Sequence, residues 1–189
     1  PGKINKILDN GRSKAIEGYC NANSLRVGEK LKIMVSANPA SAFKLDIFRT
    51  GYYGGTGARL MKSFDSLKAG TQPDPPVGEN YVRECQWEPT VELEIPKTWP
   101  SGVYLGKMTA ERSGIQSYVI FIVRDDRPCD FLFQCSDLTW SAYNRWPMDY
   151  SIYTEHENWT SIGVPSGTVS FDRPYGLFTH PVNKMKKSG

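Results

Sequence analysis

Two tyrosines stand where this chain could bind a metal ion. Tyr143 follows an apolar segment typical of a parallel strand, and Tyr175 follows a second short predicted strand and the turn at Arg173-Pro174. In open α/β sheets, ligands bind beyond the carboxyl ends of the strands. A phenol ordinarily ionises at about pH 10, so a highly charged cation such as ferric iron is needed to hold it as a phenolate at neutral pH. Spacing alone favours a simpler interpretation, in which two packed aromatic rings have hydrogen-bonded hydroxyls.

The other candidate motifs are weaker. The sequence has no G-x-S-x-G nucleophile elbow, no P-loop and no H-E-x-x-H motif. Gly54-Gly55-Thr56-Gly57 follows one predicted strand and leads into another, which favours a tight hairpin over a phosphate site. His156 lies in Glu155-His156-Glu157, where adjacent side chains point in different directions, so we favour a solvated loop over a metal site.

The four cysteines lack the spacing of a metal site. Cys129 and Cys135 are six positions apart, and no C-x-x-C pair occurs. Cys20 and Cys85 could bridge two strands of a sandwich. We favour reduced, partly buried thiols in a cytoplasmic protein, while the disulfide state and secretion stay open.

The elements before about residue 125 are predicted to be strands. Period-two alternation or a continuous apolar run predicts them over Lys30–Ser36, Phe43–Arg49, Val91–Ile95, Val103–Thr109 and Tyr118–Val123. In the fourth of these, Val103, Leu105 and Lys107 are expected on one face. Short strands separated by glycine and proline predict an antiparallel β-sandwich of immunoglobulin- or lectin-like type over residues 16–124, after an N-terminal extension over 1–15.

The chain changes character after Asp125-Asp126-Arg127-Pro128. The elements predicted there are a buried parallel strand over Asp130–Gln134, a helical turn within Ser136–Asn144 and a short strand over Thr168–Phe171. This order is typical of the start of an α/β domain over residues 125–189. Because those 65 residues are too few for a doubly wound sheet, the domain is expected to be incomplete and the chain to be the front part of a longer or split polypeptide.

Charge and hydropathy disfavour nucleic acid and a membrane as partners. The net charge is +3, but residues 1–14 and residues 180–189 each contribute +3, which leaves the body of the chain at −3. A nucleic-acid binder needs a basic stripe on its folded body, so nucleic acid is disfavoured. The longest apolar run, near Tyr118–Val123, is far shorter than the roughly 20 residues that span a bilayer, so no membrane partner is predicted.

Five stretches of sequence carry a family resemblance. In chain order they are Ile16–Tyr19, Phe48–Leu60, Trp99–Tyr104, Thr139–Trp146 and Ser170–Tyr175. Together they span about residues 16–175 and resemble the large (beta) subunit of N,N-dimethylformamidase and its relatives. The chain differs from the family pattern at Pro147-Met148, where the family usually has two glycines.

The resemblance implies a β-sandwich that leads into an α/β catalytic domain with a mononuclear Fe(III) site. By position in the motifs, Tyr143 and Tyr175 would be the tyrosine ligands, and Asn144 and Asp172 would orient them from the second layer. The remaining ligand in the family is a glutamate, which belongs with a nearby histidine to a His-x-Glu-Tyr-Trp stretch that this sequence lacks.

The implied activity is metal-dependent hydrolysis of the C–N bond of a small-molecule amide whose identity stays open. The implied partners are the remainder of the large subunit, a small subunit and further copies in a homo-oligomer. This chain alone is then expected to be inactive, because two phenolates do not complete a metal site.

Two alternatives belong to other classes of function. The sandwich could be a non-catalytic module that binds a carbohydrate or a protein, with Trp87, Trp99, Tyr52 and Tyr53 as exposed stacking residues. It could also be a purely structural support for an enzyme, because a sandwich fold says little about function.

Overall fold

The computed structural model describes residues 12–79, 82–144, 146–147 and 168–176. These residues form a mainly β fold with one short helix, which confirms the predicted fold class at this level. The strands are β1 Glu17–Cys20, β2 Ser24–Leu25, β3 Lys30–Ser36, β4 Ser41–Thr50, β5 Ala58–Ala69, β6 Pro89–Glu94, β7 Gly102–Ala110 and β8 Gln116–Val123, and helix α1 is Asp137–Tyr143.

The strands form two open sheets that share one core. The first sheet has the order β1-β3-β6, and the second has the order β2-β8-β7-β4-β5. Neighbouring strands are antiparallel throughout, except that β2 runs parallel to β8. Apolar residues of both sheets belong to the same buried cluster, so the sheets contact each other through their apolar faces.

The predicted alternation on β3 and β4 is confirmed. Fully buried on these two strands are Leu31, Ile33, Val35, Phe43, Leu45 and Ile47. Burying each such side chain contributes about 1.5–3 kcal/mol, which makes these two strands the centre of the core.

Strand β7 buries the opposite face from the one predicted. Its buried residues are Tyr104, Gly106, Met108 and Ala110, while Val103, Leu105 and Lys107 are half-buried. The Tyr104 ring stacks between Trp99 and Phe121, with ring centroids 4.9 and 5.3 Å away. A large aromatic ring gains more from burial than valine or leucine, so Tyr104 decides which face of β7 points into the core.

Strand β8 is apolar on both faces, one of which is buried while the other is partly exposed. Val119, Phe121 and Val123 are buried in the core. Tyr118 and Ile120 point to the other side, where they line a pocket. The continuous apolar run in the sequence thus reflects two different surroundings of one strand.

The glycine-rich segment between β4 and β5 is a hairpin connection, as predicted. The two strands pair in antiparallel register from Thr50 and Ala58 outward. Gly54 and Gly57 adopt φ angles of 67° and 79°, a region that favours glycine. The Tyr53 hydroxyl accepts a hydrogen bond from Arg49 Nη1 at 2.6 Å, which ties the turn back to β4.

The part of the chain after β8 departs from prediction. The strand expected over Asp130–Gln134 is wrong: Phe131, Leu132 and Phe133 are 89%, 92% and 83% exposed. A strand needs a neighbour for its backbone hydrogen bonds, and no described strand lies alongside this segment. Thr168–Phe171 is not a strand either. The domain boundary near residue 125 stays a prediction.

Helix α1 forms within the predicted segment Ser136–Asn144 and has seven residues. None of the helices in the described ranges has the length and apolar character needed to cross a bilayer.

The four cysteines are free thiols in the structure. Cys20 and Cys85 are buried, and burial raises the pKa of the Cys85 thiol to about 12. A thiol that is protonated to this extent is a poor nucleophile at neutral pH.

Candidate functional site

A pocket lies between strand β8, helix α1 and the described segment 168–176. Its volume is about 350 Å³, and its lining residues are Tyr118, Ile120, Thr139, Trp140, Tyr143, Asn144, Tyr175 and Gly176. The two tyrosines that the sequence singled out therefore line the same pocket, although they are 32 positions apart in the chain.

Tyr175 packs against strand β8. Its ring stacks on the Tyr118 ring, with centroids 6.1 Å apart and an angle of 19° between the ring planes. Burial, with a smaller effect from Tyr118, raises the pKa of Tyr175 to about 12. Burial also raises the pKa of Tyr118. Both phenols therefore keep their protons at neutral pH unless a cation displaces them.

Tyr143 is the last residue of helix α1 and is about half exposed. The next residue, Asn144, is buried and connects the two tyrosine segments. Its Nδ2 donates to the carbonyl oxygen of Pro174 at 2.9 Å, and its Oδ1 accepts from the backbone N–H groups of Trp146 and Gly176 at 3.1 and 2.9 Å. The Asn144 side chain thus holds the chain on both sides of Tyr175.

Asp172 lies next to the pocket without lining it. Its carbonyl oxygen accepts a hydrogen bond from the Cys85 N–H at 2.7 Å, and its own N–H donates to Ser170 Oγ at 3.0 Å. Burial, together with the nearby Glu84 carboxylate, raises the pKa of the Asp172 carboxyl group. Its backbone therefore anchors the Tyr175 segment to residue 85, while the predicted orienting role of its side chain stays a prediction.

Arg173 is buried next to the pocket and bonds to several backbone groups of the site. The sequence predicts only that it belongs to a turn. Among the described residues, its guanidinium donates to four backbone carbonyl oxygens at 2.7–3.0 Å, those of Ser141, Asn144, Trp146 and Ser170. Burial lowers the pKa of Arg173 to about 10, so the group stays charged at neutral pH. Its contact with the Ser141 carbonyl places this positive charge at the C-terminal end of α1, where cations are favoured. No local sequence signal distinguishes such an arginine from a solvated one.

The donor set of the pocket meets part of the needs of a ferric ion. Tyr143 and Tyr175 supply two hard, anionic oxygen donors when ionised, and this is the donor type that ferric iron accepts in proteins. Within the described ranges, no group of three or more His, Cys, Asp or Glu side chains could hold a metal ion. The phenols thus fit part of a ferric site, and a carboxylate would have to come from outside the described residues. His156 and His180 lie outside those residues too.

The aromatic residues proposed for a binding module do not form an exposed platform. Trp87 and Trp99 are buried, at 5% and 7% exposure, so neither can stack on a ligand from solvent. Tyr53 is half-buried and bonded to Arg49, which leaves Tyr52 as the exposed member of the four. The expectation of four exposed stacking residues is therefore wrong.

Comparison with known proteins gives one informative match. The sequence model of the family described as "N,N-dimethylformamidase beta subunit-like, C-terminal" matches residues 44–188, or 145 of the 189 residues. No curated protein matches the chain. Among solved structures, the chain is similar to a superoxide reductase (neelaredoxin) from Ignicoccus hospitalis, with 12% identity over 64% of this chain and 91% of that chain. The TM-score of that match is 0.32, which is too low to support a conclusion.

Proposed function

This chain belongs to the N,N-dimethylformamidase beta subunit-like, C-terminal family, and we propose that it forms part of an enzyme that hydrolyses the C–N bond of small amides. The observation that carries the proposal is that Tyr143 and Tyr175 line the same pocket. These tyrosines stand in two of the five stretches that resemble the family, and both belong to the lining of this pocket although they lie on separate segments.

The proposed role of Tyr143 and Tyr175 is to ligate a mononuclear ferric ion as phenolates. The pKa of about 12 for Tyr175 supports a requirement for a strong cation, because a weaker one would leave the phenol protonated. A bound ferric ion would supply Lewis acidity toward the amide carbonyl oxygen. The chain's own contribution is to place two oxygen donors in the lining of one pocket.

The residues around the tyrosines support a neutral substrate. Trp140, Ile120 and Tyr118 present apolar surface to the pocket, and none of its described lining residues carries a formal charge at neutral pH. A charged substrate would lose its hydration there without a counter-ion, whereas a small neutral amide would lose little. The hydroxyl group of Thr139 offers a hydrogen bond that could orient an amide group.

The enzyme is proposed to contain more than this chain. The family description refers to a beta subunit, so partner chains are expected. The absent His-x-Glu-Tyr-Trp stretch supports a source outside this sequence for the third ligand and the proton-transfer group. This chain alone is therefore proposed to be inactive, and a small subunit and a homo-oligomer remain part of the proposal.

We further propose that the two sheets are the layers of an immunoglobulin- or lectin-like sandwich. Their shared hydrophobic cluster and mostly antiparallel pairing support this arrangement. In it, the β-domain also has a direct role at the site, because Tyr118 and Ile120 of β8 form one wall of the pocket.

The test is metal analysis of the complete protein with its partner subunits. The wild-type protein is expected to contain about one iron per copy of this chain and to absorb visible light through tyrosinate-to-iron charge transfer. Tyr143→Phe and Tyr175→Phe should each weaken iron binding by more than the roughly 10–100-fold caused by loss of an outer hydrogen-bond partner. Both should also show a weaker, shifted visible band and lose the hydrolysis of amides.

The matched control is Tyr52→Phe, which removes a hydroxyl from a side chain that is 83% exposed and does not line the pocket. It should keep full iron content and colour. A colourless, iron-free preparation with full amide hydrolysis would exclude the ferric site.

A further inference from the structure

Trp146 connects the pocket to the start of the β-domain. Its side chain is 1% exposed and makes an edge-to-face contact with Trp87, with ring centroids 6.2 Å apart. Its indole Nε1–H donates to Oε1 of Glu17 at 2.7 Å, across 129 positions of sequence. The residue next to the candidate ligand segment is thus bonded to the first residue of strand β1.

Glu17 is held in place for this contact by a second residue. It is 5% exposed, and its two oxygens accept from Nε and Nη2 of Arg12 at 2.7 and 2.8 Å. The Arg12 guanidinium also lies over the Trp146 ring, 4.5 Å from its centroid. A buried carboxylate with a charged partner and an N–H donor is fixed in position, since any movement would leave a buried charge unsatisfied.

The backbone of Trp146 contacts both tyrosine segments. Its N–H donates to Asn144 Oδ1 at 3.1 Å, and its carbonyl oxygen accepts from Arg173 Nη1 at 2.8 Å. The chain after Tyr175 packs directly against it, because a Cβ added to Gly176 would lie 3.1 Å from the Trp146 nitrogen. Movement of Trp146 would therefore displace both walls of the pocket that carry tyrosines.

We propose that Trp146 is a positioning residue, clamped by Glu17 and Arg12, that fixes the spacing of the Tyr143 and Tyr175 segments. The inference rests on the proposed function only for the claim that these two tyrosines are ligands whose spacing matters. Through this contact, strand β1 determines the geometry of a site that begins more than 120 residues later in the chain.

The test is hydrogen exchange in the complete protein without added iron, comparing wild type with Trp146→Phe. Phenylalanine removes the N–H donor to Glu17 while keeping an aromatic ring. Exchange in peptides covering 137–147 and 170–176 should become roughly ten- to hundredfold faster, the range expected for loss of a hydrogen bond to a buried charged group. Peptides from β4 should exchange at the wild-type rate.

Trp99→Phe is the matched control. It makes the same change at a tryptophan that is 7% exposed and stacks on Tyr104 in the core, away from the pocket. It should accelerate exchange near its own position and leave both tyrosine segments unchanged. The proposal is overturned if Trp146→Phe leaves both segments at wild-type rates, or if Trp99→Phe opens them equally.

A milder variant covers the case in which Trp146→Phe does not fold. Glu17→Gln keeps the side-chain size and one oxygen for the indole N–H, but it weakens the bond to Arg12. A smaller acceleration is expected in the same two segments, and wild-type exchange there would overturn the role of the clamp.

Iron content separates this inference from the proposed function. If Tyr143→Phe and Tyr175→Phe retain iron while Trp146→Phe opens both segments, the metal assignment fails and the positioning role stands. If the tyrosine variants lose iron while exchange is unchanged in Trp146→Phe, the metal assignment stands and the positioning role fails. When both proposals are right, iron-loaded Trp146→Phe should show a shifted charge-transfer band.

Discussion

At the scale of single residues, Arg173 holds several backbone groups beside the pocket in place. Four carbonyl oxygens, three of them within residues 141–146 and the fourth on Ser170, accept hydrogen bonds from one guanidinium. Because the N–H groups of a guanidinium lie in one rigid plane and point in different directions, they can donate to several acceptors at once. A single ammonium group presents its donors from one point and cannot match this arrangement.

Arg173→Lys is therefore expected to lower the free energy of unfolding by at least about 2 kcal/mol, since buried carbonyl oxygens lose their donors. Urea denaturation of the complete protein measures the change. Arg26→Lys is the control, because Arg26 is about half exposed and pairs with Asp126 at the surface. That variant should change the free energy by less than about 1 kcal/mol. Equal and small effects of the two substitutions would contradict the role given to Arg173.

At the scale of elements, strand β8 serves the core and the pocket at once. Phe121 faces the core and Ile120 faces the pocket, although they are adjacent in the chain. Since side chains alternate along a strand, substitutions one position apart should affect different properties. A substitution on the core face should change the free energy of unfolding, and a substitution on the pocket face should change the substrate preference.

The expected result for Phe121→Ala is a loss of about 3–5 kcal/mol in the free energy of unfolding. For Ile120→Ala, we expect a wider pocket and a lower KM for bulkier amides relative to the smallest ones. Steady-state kinetics on a series of amides with the complete enzyme measures this shift. Ile122→Ala makes the same change on the same face of β8, at a residue that does not line the pocket. An identical shift in Ile122→Ala would show that the effect does not arise from the pocket wall.

The buried face of a strand could be predicted where only one of its faces is apolar. It could not be predicted where both faces are apolar or where the strand has no neighbour. Strands β3 and β4 follow their alternation into the core, so their buried residues could be predicted. On β7, both faces carry apolar side chains, and the choice between them depends on the stacking of Tyr104 with rings from other elements. The apolar trio Phe131–Phe133 resembles a buried strand by composition, but burial depends on a neighbour that composition does not reveal.

At the scale of the whole molecule, a network of charges joins the beginning of the described chain to the pocket. Arg12 bonds Glu17 and also Asp74, whose Oδ1 lies 2.7 Å from Arg12 Nη2, while Lys14 Nζ lies 2.6 Å from Asp74 Oδ2. The hydrogen bond from Arg12 is the largest of the effects that lower the pKa of Asp74 from 3.8 to about 2. The ionised carboxylate is thus favoured in the folded state.

This shift predicts a pH dependence with a definite sign. Asp74→Asn should be less stable than wild type at neutral pH, because the folded state loses the ionised partner of Arg12. The difference should be fully present above pH 3.8 and should disappear as the pH falls through about 2, where the wild-type carboxylate also becomes protonated. Denaturation curves at several pH values measure it.

Asp65→Asn is the control for this pH series. The Asp65 side chain is 75% exposed and lies 3.6 Å from Lys44 Nζ. The free energy of unfolding of the Asp65→Asn variant should stay within about 0.5 kcal/mol of the wild-type value at each pH. A wild-type advantage over Asp74→Asn that is constant across pH would contradict the electrostatic explanation.

The candidate site shows how far sequence reasoning reaches at this scale. Tyr143 and Tyr175 were identified from a family resemblance, and the fold places both on one pocket. The sequence does not predict the role of Arg173 or the pairing of Glu17 with Trp146. The contacts of Arg173 with residues 141–146 span 27–32 positions and the Glu17–Trp146 contact spans 129, so neither leaves a periodic signal in its segments. Such contacts depend on the packing of the sheets, which local patterns do not specify.

The contact between Glu17 and Trp146 has a consequence for the order in which the molecule folds. Closing a loop of this length has an entropic cost that is recovered only after the ends have a surface on which to dock. That surface is the packed β1–β3–β6 sheet, so the sheets should assemble first and the tyrosine segments should dock late. A newly synthesised chain would then acquire its β-structure while it is still unable to bind its ligand.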